Sequence, residues 1–387
     1  MKKRDAFLPY ALPYWDEHEI EAVTDAIKSN WWSKGPKTQE FEERFAQLIG
    51  AKYAVSVNSC TAALETALIA KGIGPGDEVI TTPFTFCSTV NVIVHTGATP
   101  VFADVDYDSA CIDPENIKRA VTKRTKAIIP VHYAGRPCDM EQINSIAAQH
   151  GLFVLEDAAH AVCTYCGETR VGSVNPAAFS FYATKNVATG EGGMLTTNDE
   201  QMAETARVLT SHGMSRNAWN RYAKGGSWRY DVEYAGYKYN MTDIQAALGI
   251  CQLDRLDFMQ ERRRRYAGIY NGELKGVRGV KVPPETKRGV NSWHLYTILI
   301  DSGELDIGRD EFIDELADMN VGTSVHFIPV HLQPFYKRKF GYKRGDFPVA
   351  ESIFDKTISL PLYPSMTEED VRYVAGAVRE ISKKHTK

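Results

Sequence analysis

Between residues 50 and 200 the chain alternates short, β-branched apolar runs with stretches whose apolar residues recur at helical spacing. The runs Tyr53–Val57, Val79–Thr82, Pro100–Asp104, Ala127–Val131, Leu152–Glu156 and Ala177–Phe181 read as strands. Thr61–Lys71, Cys87–Thr96, Pro114–Val121 and Met140–His150 read as the helices between them. Strand, crossover helix, strand, repeated this often, predicts an α/β fold: a mostly parallel sheet flanked by helices on both faces. Gly193–Thr197 follows a glycine-rich turn and predicts an added strand of different direction.

Outside that block the pattern differs. Asp16–Lys28 predicts an N-terminal helix packed on the larger unit, and one long helical pattern runs from Thr242 to Leu274. Its Arg262-Arg263-Arg264-Arg265 run reads as a solvated helix face. Trp293–Ile300 and Thr323–Phe327 read as strands, Arg309–Met319 and Val371–Ile381 as helices. We therefore expect a large domain over residues 1–257, with the N-terminal helix, and a smaller C-terminal α+β domain over 258–387.

Composition narrows the function classes. Across 387 residues, 45 Lys and Arg against 49 Asp and Glu give a net charge of −4, so no general basic field points to nucleic acid. No apolar run reaches the roughly 18 residues of a membrane span. The opening Met1-Lys2-Lys3-Arg4-Asp5 is charged but has no apolar core behind it, unlike a secretory signal. Seven scattered cysteines suggest reduced thiols, and with them a cytoplasmic protein. Cys163-x-x-Cys166 has half-site spacing for a metal or redox pair, but no second pair follows, and we expect a turn and no metal.

Three strand ends carry candidate chemistry. At Ser56-Val57-Asn58-Ser59-Cys60-Thr61 a strand meets a helix N-terminus, where free N–H groups and hydroxyls either cap the helix or hold a phosphate. At Leu152 to His160 a buried strand runs into Glu156-Asp157, where a ligand of an open α/β sheet sits; Asp157 could equally cap a helix. At Phe179-Ser180-Phe181-Tyr182-Ala183-Thr184-Lys185 a lysine follows a strand, ahead of Gly190-Glu191-Gly192-Gly193. Each has an ordinary reading alone. Together they converge on one crevice and supply what pyridoxal 5'-phosphate needs: a phosphate cradle, a carboxylate for the pyridine nitrogen and an amine.

With these motifs the chain resembles the DegT/StrS family of sugar aminotransferases, of the aspartate-aminotransferase-like fold type I. The resemblance runs through Gly35-Pro36, Gly76 to Thr81, Pro130-Val131-His132-Tyr133-Ala134-Gly135, Glu156 to His160, Ser180 to Lys185, Gly236 to Asp243 and Val325-His326-Phe327. It implies Lys185 as the lysine that carries the cofactor and moves the proton, Asp157 at the pyridine nitrogen, and His160 beside the ring. It implies Phe86 stacked on the ring, and Ser59, Cys60, Thr61 and Ser180 at the phosphate. Lys238 would reach the phosphate of the neighbouring subunit, where many members have Asn; Cys60 stands where Gly or Ala is usual. Ser33, Gly35, His326 and His331 fall in segments that line the sugar side.

The activity so implied is transfer of an amino group, from L-glutamate as the expected donor, to a nucleotide-linked keto-sugar at carbon 4, in a homodimer with shared sites. Two other readings stay open at this point. Relatives that act as deoxysugar dehydratases replace the lysine with histidine, whereas Lys185 is present here. A regulatory protein on the same fold would not need the lysine's position.

Overall fold

The computed structural model describes residues 3–214, 230–286 and 288–387. After α1 (Glu17–Lys28) and α2 (Pro36–Ile49), the chain enters β1 (Tyr53–Val57), α3 (Cys60–Ala70), β2 (Glu78–Thr81), α4 (Cys87–His95), β3 (Thr99–Phe102), α5 (Pro114–Ala120) and β4 (Thr125–Ile129). A 3-10 turn at Tyr133–Gly135 precedes α6 (Met140–His150), β5 (Phe153–Val154) and β6 (Glu156–Asp157). The hairpin β7 (Tyr165–Cys166) and β8 (Thr169–Arg170) leads to β9 (Ala177–Ser180), β10 (Gly193–Thr197) and α7 (Glu200–Leu209).

β5 and β6 are one central strand interrupted at Leu155. Its first half pairs with β4 and its second half with β9, both in parallel. The order across the sheet is therefore β3-β2-β4-(β5, β6)-β9-β10-β1. β10 alone runs antiparallel to both neighbours, as the glycine turn before it suggested. Alternation along the strands sorts side chains to two faces. Val79, Ala127, Ile129 and Leu155 meet α3, α4 and α7, whereas Ile80, Ile128 and Val154 meet α5 and α6. Farther along the sheet, Phe179 and Met194 join Phe41 and Phe45 of α2.

The remaining elements are α8 (Asp243–Asp254), α9 (Leu256–Leu274), β11 (Val280–Lys281), β12 (Tyr296–Ile300), α10 (Arg309–Asp318), α11 (Pro334–Phe340), α12 (Pro348–Lys356), β13 (Thr357–Leu360) and α13 (Glu368–His385). β11, β12 and β13 form an antiparallel sheet. It shares a core with α9, α10 and α13 through Tyr266, Tyr270, Tyr296, Phe312 and Val374. α1, begun by a capping box of Asp16 and Glu19, packs on α8, where Gln252 Nε2 donates to Glu19 Oε1 at 2.8 Å. No helix among the described residues is long and apolar enough to cross a membrane.

Three expectations need correction. The long pattern from Thr242 to Leu274 is two helices, because Arg255 leaves helical geometry at φ −107° and ψ 3°. Of the expected strand Thr323–Phe327 only Ser324 pairs, with Ser359. The His326 carbonyl instead accepts the Tyr133 hydroxyl at 2.7 Å. The arginine run is not uniformly solvated, since Arg263 is 2% exposed. Its Nη1 donates to the carbonyls of Trp293, His294 and Leu362 at 3.4, 3.3 and 2.8 Å. Helical rotation turns that one position inward, leaves Arg262 half-buried and keeps Arg264 and Arg265 exposed.

Arg263 crosses from α9 to the segment ahead of β12 and to the segment after β13. Replacing it by Met keeps the volume and removes a charge-assisted donor shared by three carbonyls. Arg263→Met is expected to cost about 2–3 kcal/mol in urea unfolding; an unchanged midpoint would refute this.

Candidate active site

The site begins with Asp157, the last residue of the central strand. Its backbone is held by the segment after β4: its N–H donates to Pro130 O at 2.9 Å, and its carbonyl accepts His132 N–H at 3.1 Å. The carboxylate is 4% exposed. Oδ2 accepts Thr89 Oγ1 at 2.7 Å, and Oδ1 accepts Ala159 N–H at 3.1 Å. Burial raises its pKa, opposed by those two hydrogen bonds and by the charge of Lys185. Thr89 in turn shares a hydrogen bond of 2.9 Å with Thr85, four residues back where the chain enters α4.

Lys185 follows the adjacent strand, β9, in a turn closed by its own N–H to Tyr182 O at 2.8 Å. Desolvation lowers its pKa to about 8, with Cys60 and Asp157 pulling the other way. The interaction with both places lysine, carboxylate and cradle in one electrostatic neighbourhood. Beside Lys185, Asn186 is buried and donates from Nδ2 to Ser292 O at 2.9 Å and to Gln260 Oε1 at 3.3 Å. α9 and the segment before β12 thus anchor the lysine turn.

The cradle lies at the end of β1. Ser59 caps α3, its Oγ accepting Ala62 N–H at 3.1 Å, so the capping reading is realised, and the same hydroxyl makes a long donor contact of 3.4 Å to Asn58 Oδ1. The Cys60 thiol faces inward and donates to Ala178 O at 3.4 Å, leaving its backbone to the cradle. Gly193 opens β10 directly against this turn: a Cβ there would stand 2.4 Å from Ser59 C and 2.6 Å from Cys60 N. The glycine therefore serves the approach of one backbone to another. Ser180, paired with Gly193 across β9 and β10, is buried at the same end of the sheet.

His160 forms a wall of the same crevice. Ala134 N–H donates to its Nδ1 at 3.2 Å, and the ring stacks on Phe327 at 6.0 Å and 15°. Burial, then the charge of Lys185, holds its pKa well below the ordinary histidine value. His326 is held likewise, near about 4, and bonds Ser359 Oγ through Nδ1 at 2.8 Å. Phe86 stands at the entrance, 60% exposed, its ring 6.1 Å from that of Phe327. Hydroxyls and free N–H groups at a helix start, a buried carboxylate, a partly buried amine of lowered pKa and an exposed aromatic face suit pyridoxal phosphate.

Other expected residues lie elsewhere. His331 is wholly buried, its Nε2 2.9 Å from Glu351 Oε1 and its ring edge-on to Phe347. These contacts tie it to the packing around α12. Ser33 and Gly35 are tied to Asp243 rather than to the Lys185 group: Ser33 O accepts Asp243 N–H at 3.1 Å, and Gly35 N–H donates to its carboxylate at 2.7 Å. Lys238 is exposed, and its carbonyl accepts Asn58 Nδ2 at 3.3 Å, beside the cradle of its own chain. Thr89, Tyr133, Ala134, Asn186 and His294 were assigned no role from the sequence, although Tyr133 and Ala134 lie within the Pro130–Gly135 motif. Thr85 and Thr89, at helical spacing after a strand, also left a readable signal.

This fold and this set of groups define a fold-type-I pyridoxal-phosphate enzyme. The profile of the DegT/DnrJ/EryC1/StrS aminotransferase family matches residues 13–379. The chain is 57% identical over 385 residues to the spore coat polysaccharide biosynthesis protein SpsC of Bacillus subtilis (strain 168), covering 99% of each. In structure it is similar to Spr1654 from Streptococcus pneumoniae in its PLP form, at 33% identity, TM-score 0.91 and coverage of 98% and 99%. It is also similar to Helicobacter pylori PseC, an aminotransferase involved in the biosynthesis of pseudoaminic acid, at 29% identity, TM-score 0.91 and coverage of 98% and 100%. The chain belongs to the DegT/DnrJ/EryC1/StrS aminotransferase family and is a pyridoxal-phosphate-dependent aminotransferase.

Two outcomes test the geometry. Gly193→Ala is expected to push the Ser59–Cys60 turn away from β10 and weaken pyridoxal-phosphate binding at least tenfold, measured by equilibrium titration. In the cofactor-free protein the lowered pKa of Lys185 has a signed consequence. Between about 8 and the ordinary lysine value of about 10.4, the unfolded chain binds the proton that the folded chain has released. Unfolding free energy therefore gains a rising contribution from Lys185 across that window, and Lys185→Met is expected to flatten the rise.

Proposed function

We propose that this aminotransferase moves an amino group from L-glutamate to carbon 4 of a nucleotide-linked keto-sugar, making an amino-sugar precursor for a polysaccharide or related glycan. The observation that carries it is the Lys185 amine, poised near neutrality beside the buried Asp157 carboxylate. Kinship with SpsC and PseC, whose names speak of spore coat polysaccharide and pseudoaminic acid, supports a sugar acceptor. Likeness of Ile129–Gly135, Gly236–Asn240 and Gly322–Phe327 to UDP-4-amino-4-deoxy-L-arabinose–oxoglutarate aminotransferase supports carbon 4. A cytoplasmic setting, where such sugar nucleotides and reduced thiols coexist, belongs to the same proposal.

When bound, pyridoxal phosphate supplies an electron sink for the carbon that gains or loses the amine. Asp157 would pair with the pyridine nitrogen, and its burial would strengthen that pairing. Ser59, Thr61, Ser180 and the α3 N-terminus hold the phosphate. Phe86 would stack on the cofactor ring and His160 would stand beside it. Lys185, with a pKa near about 8, takes a proton as the neutral amine and returns it as the ammonium on either side of neutral pH. Two half-reactions share this site, so initial-rate lines are expected to run parallel. His326 would line the acceptor side, and Lys238 would reach the partner subunit's phosphate in a homodimer.

L-glutamate is expected to bleach the visible band of the holoenzyme, and keto-sugar nucleotides to restore it. Lys185→Ala is expected to lower turnover by about 10²–10⁴-fold, the range of a lost proton-transfer group. A band that ignores every amino acid, or recovery only with free keto acids, would refute the sugar assignment. For the shared site, mixing Lys185→Ala with Lys238→Ala chains is expected to restore activity in mixed dimers. No recovery in a proven mixed dimer would place both groups in one chain.

A further inference from the structure

His294 is buried next to His160, with ring centroids 4.3 Å apart and planes at 34°. It comes from the segment ahead of β12, far in sequence from both His160 and Lys185. Its Nδ1 is 3.1 Å from Asn186 Oδ1. Which terminal atom of Asn186 is the oxygen is settled by its other bonds, because Nδ2 donates to Ser292 O and Gln260 Oε1. Oδ1 can only accept, so the His294 proton sits on Nδ1 and its Nε2 carries a bare lone pair. The opposite holds next door. The Ala134 backbone N–H can only donate to His160 Nδ1, so the His160 proton sits on Nε2.

The same segment grips the site at further points. Ser292 Oγ donates to His160 O at 2.6 Å, and Ser292 N–H donates to Gly135 O at 3.0 Å. The His294 and Leu295 N–H groups both donate to Ala134 O, at 3.1 and 3.3 Å. Ala134 itself holds φ at +59°, a conformation alanine rarely adopts, with its N–H aimed at His160 and its carbonyl at His294. The groups facing His294 are His160, Lys185, Arg263 and His326, and with burial they all disfavour a charge on it.

We infer that His294 is a positioning residue for the lysine chemistry. Its Nδ1–H fixes the Asn186 side chain, and so the Lys185 turn, while its ring backs His160. Both histidines are thereby held neutral in opposite tautomers. His160 offers the crevice a fixed N–H donor, and Lys185 is the group that changes charge there. The inference goes beyond the acceptor sugar and needs only the role of Lys185 given above. Its tests on the cofactor-free chain stand apart from that role.

Nitrogen-15 NMR of histidine-labelled, cofactor-free protein is expected to show His294 as the Nδ1–H tautomer and His160 as the Nε2–H tautomer, neither titrating between pH 6 and 9. An Nε2–H tautomer at His294, or a titration in that range, overturns the inference. Two variants add a dynamic readout. His294→Asn keeps a donor at the Nδ1 position, and His294→Leu removes it at similar volume. Hydrogen exchange at residues 182–187 is expected to rise at least tenfold in His294→Leu and to stay within about threefold of wild type in His294→Asn. Pyridoxal-phosphate affinity is expected to follow the same order. Equal exchange in the two folded variants would mean that the ring only fills space and would sink the proposal. If His294→Leu does not fold, the tautomer measurement decides alone.

Discussion

A carboxylate taken out of water at the end of a central strand is the constraint around which this molecule is arranged. Asp157 cannot stay charged there without donors and a nearby cation, because transfer of a lone carboxylate from water costs far more than a fold can absorb. The donors come from two directions: Thr89 from α4, and the Ala159 N–H from the chain just beyond the strand. The cation comes from the next strand, as Lys185. Each needs the sheet in its observed order, since β6 and β9 must be neighbours for the two groups to meet. The two groups also tune one another: burial lifts the acid and lowers the amine, and their mutual attraction limits both shifts.

Around that pair, backbone geometry carries much of the precision. β10 runs against its neighbours, so its first residue, Gly193, arrives at the cradle end of β1 and touches the turn that begins α3. A side chain would not fit between them. The short turn Tyr133–Gly135 does comparable work on the other side. Its Tyr133 hydroxyl holds the His326 carbonyl, its Ala134 N–H holds the His160 ring, and its Gly135 carbonyl accepts both Thr164 Oγ1 and Ser292 N–H. Three consecutive residues thus fix pieces of the crevice that lie far apart in sequence.

The second, antiparallel core is joined to this arrangement by α9. Its start, Leu256, lies in the core beside α2, while Tyr266, Tyr270 and Leu274 lie in the other. Gln260 and Arg263, between them, reach the segment that carries Ser292 and His294. The buried polar side chains of one helix thereby link the lysine turn to the smaller sheet through Gln260 Nε2 and Arg263 Nη1, and such a buried hydrogen-bonded seam favours one relative placement.

Much of this was legible in the sequence. Apolar runs with crossover helices fixed the α/β class and the strand ends at Ser59, Asp157 and Lys185, because a parallel sheet sends its chemistry to one edge. The change of pattern after about residue 257 announced a second kind of core, and family motifs assigned roles that periodicity alone left open. What tertiary structure decided were matters of direction and neighbourhood. Helical rotation buried Arg263 amid a more exposed arginine run, and local packing paired His331 with Glu351. The meeting of Asn186, His294 and His160 has no local signature, since it depends on hydrogen bonds between segments more than a hundred residues apart. A sequence records which residues can donate, accept or be buried; only the folded chain determines which of them face one another.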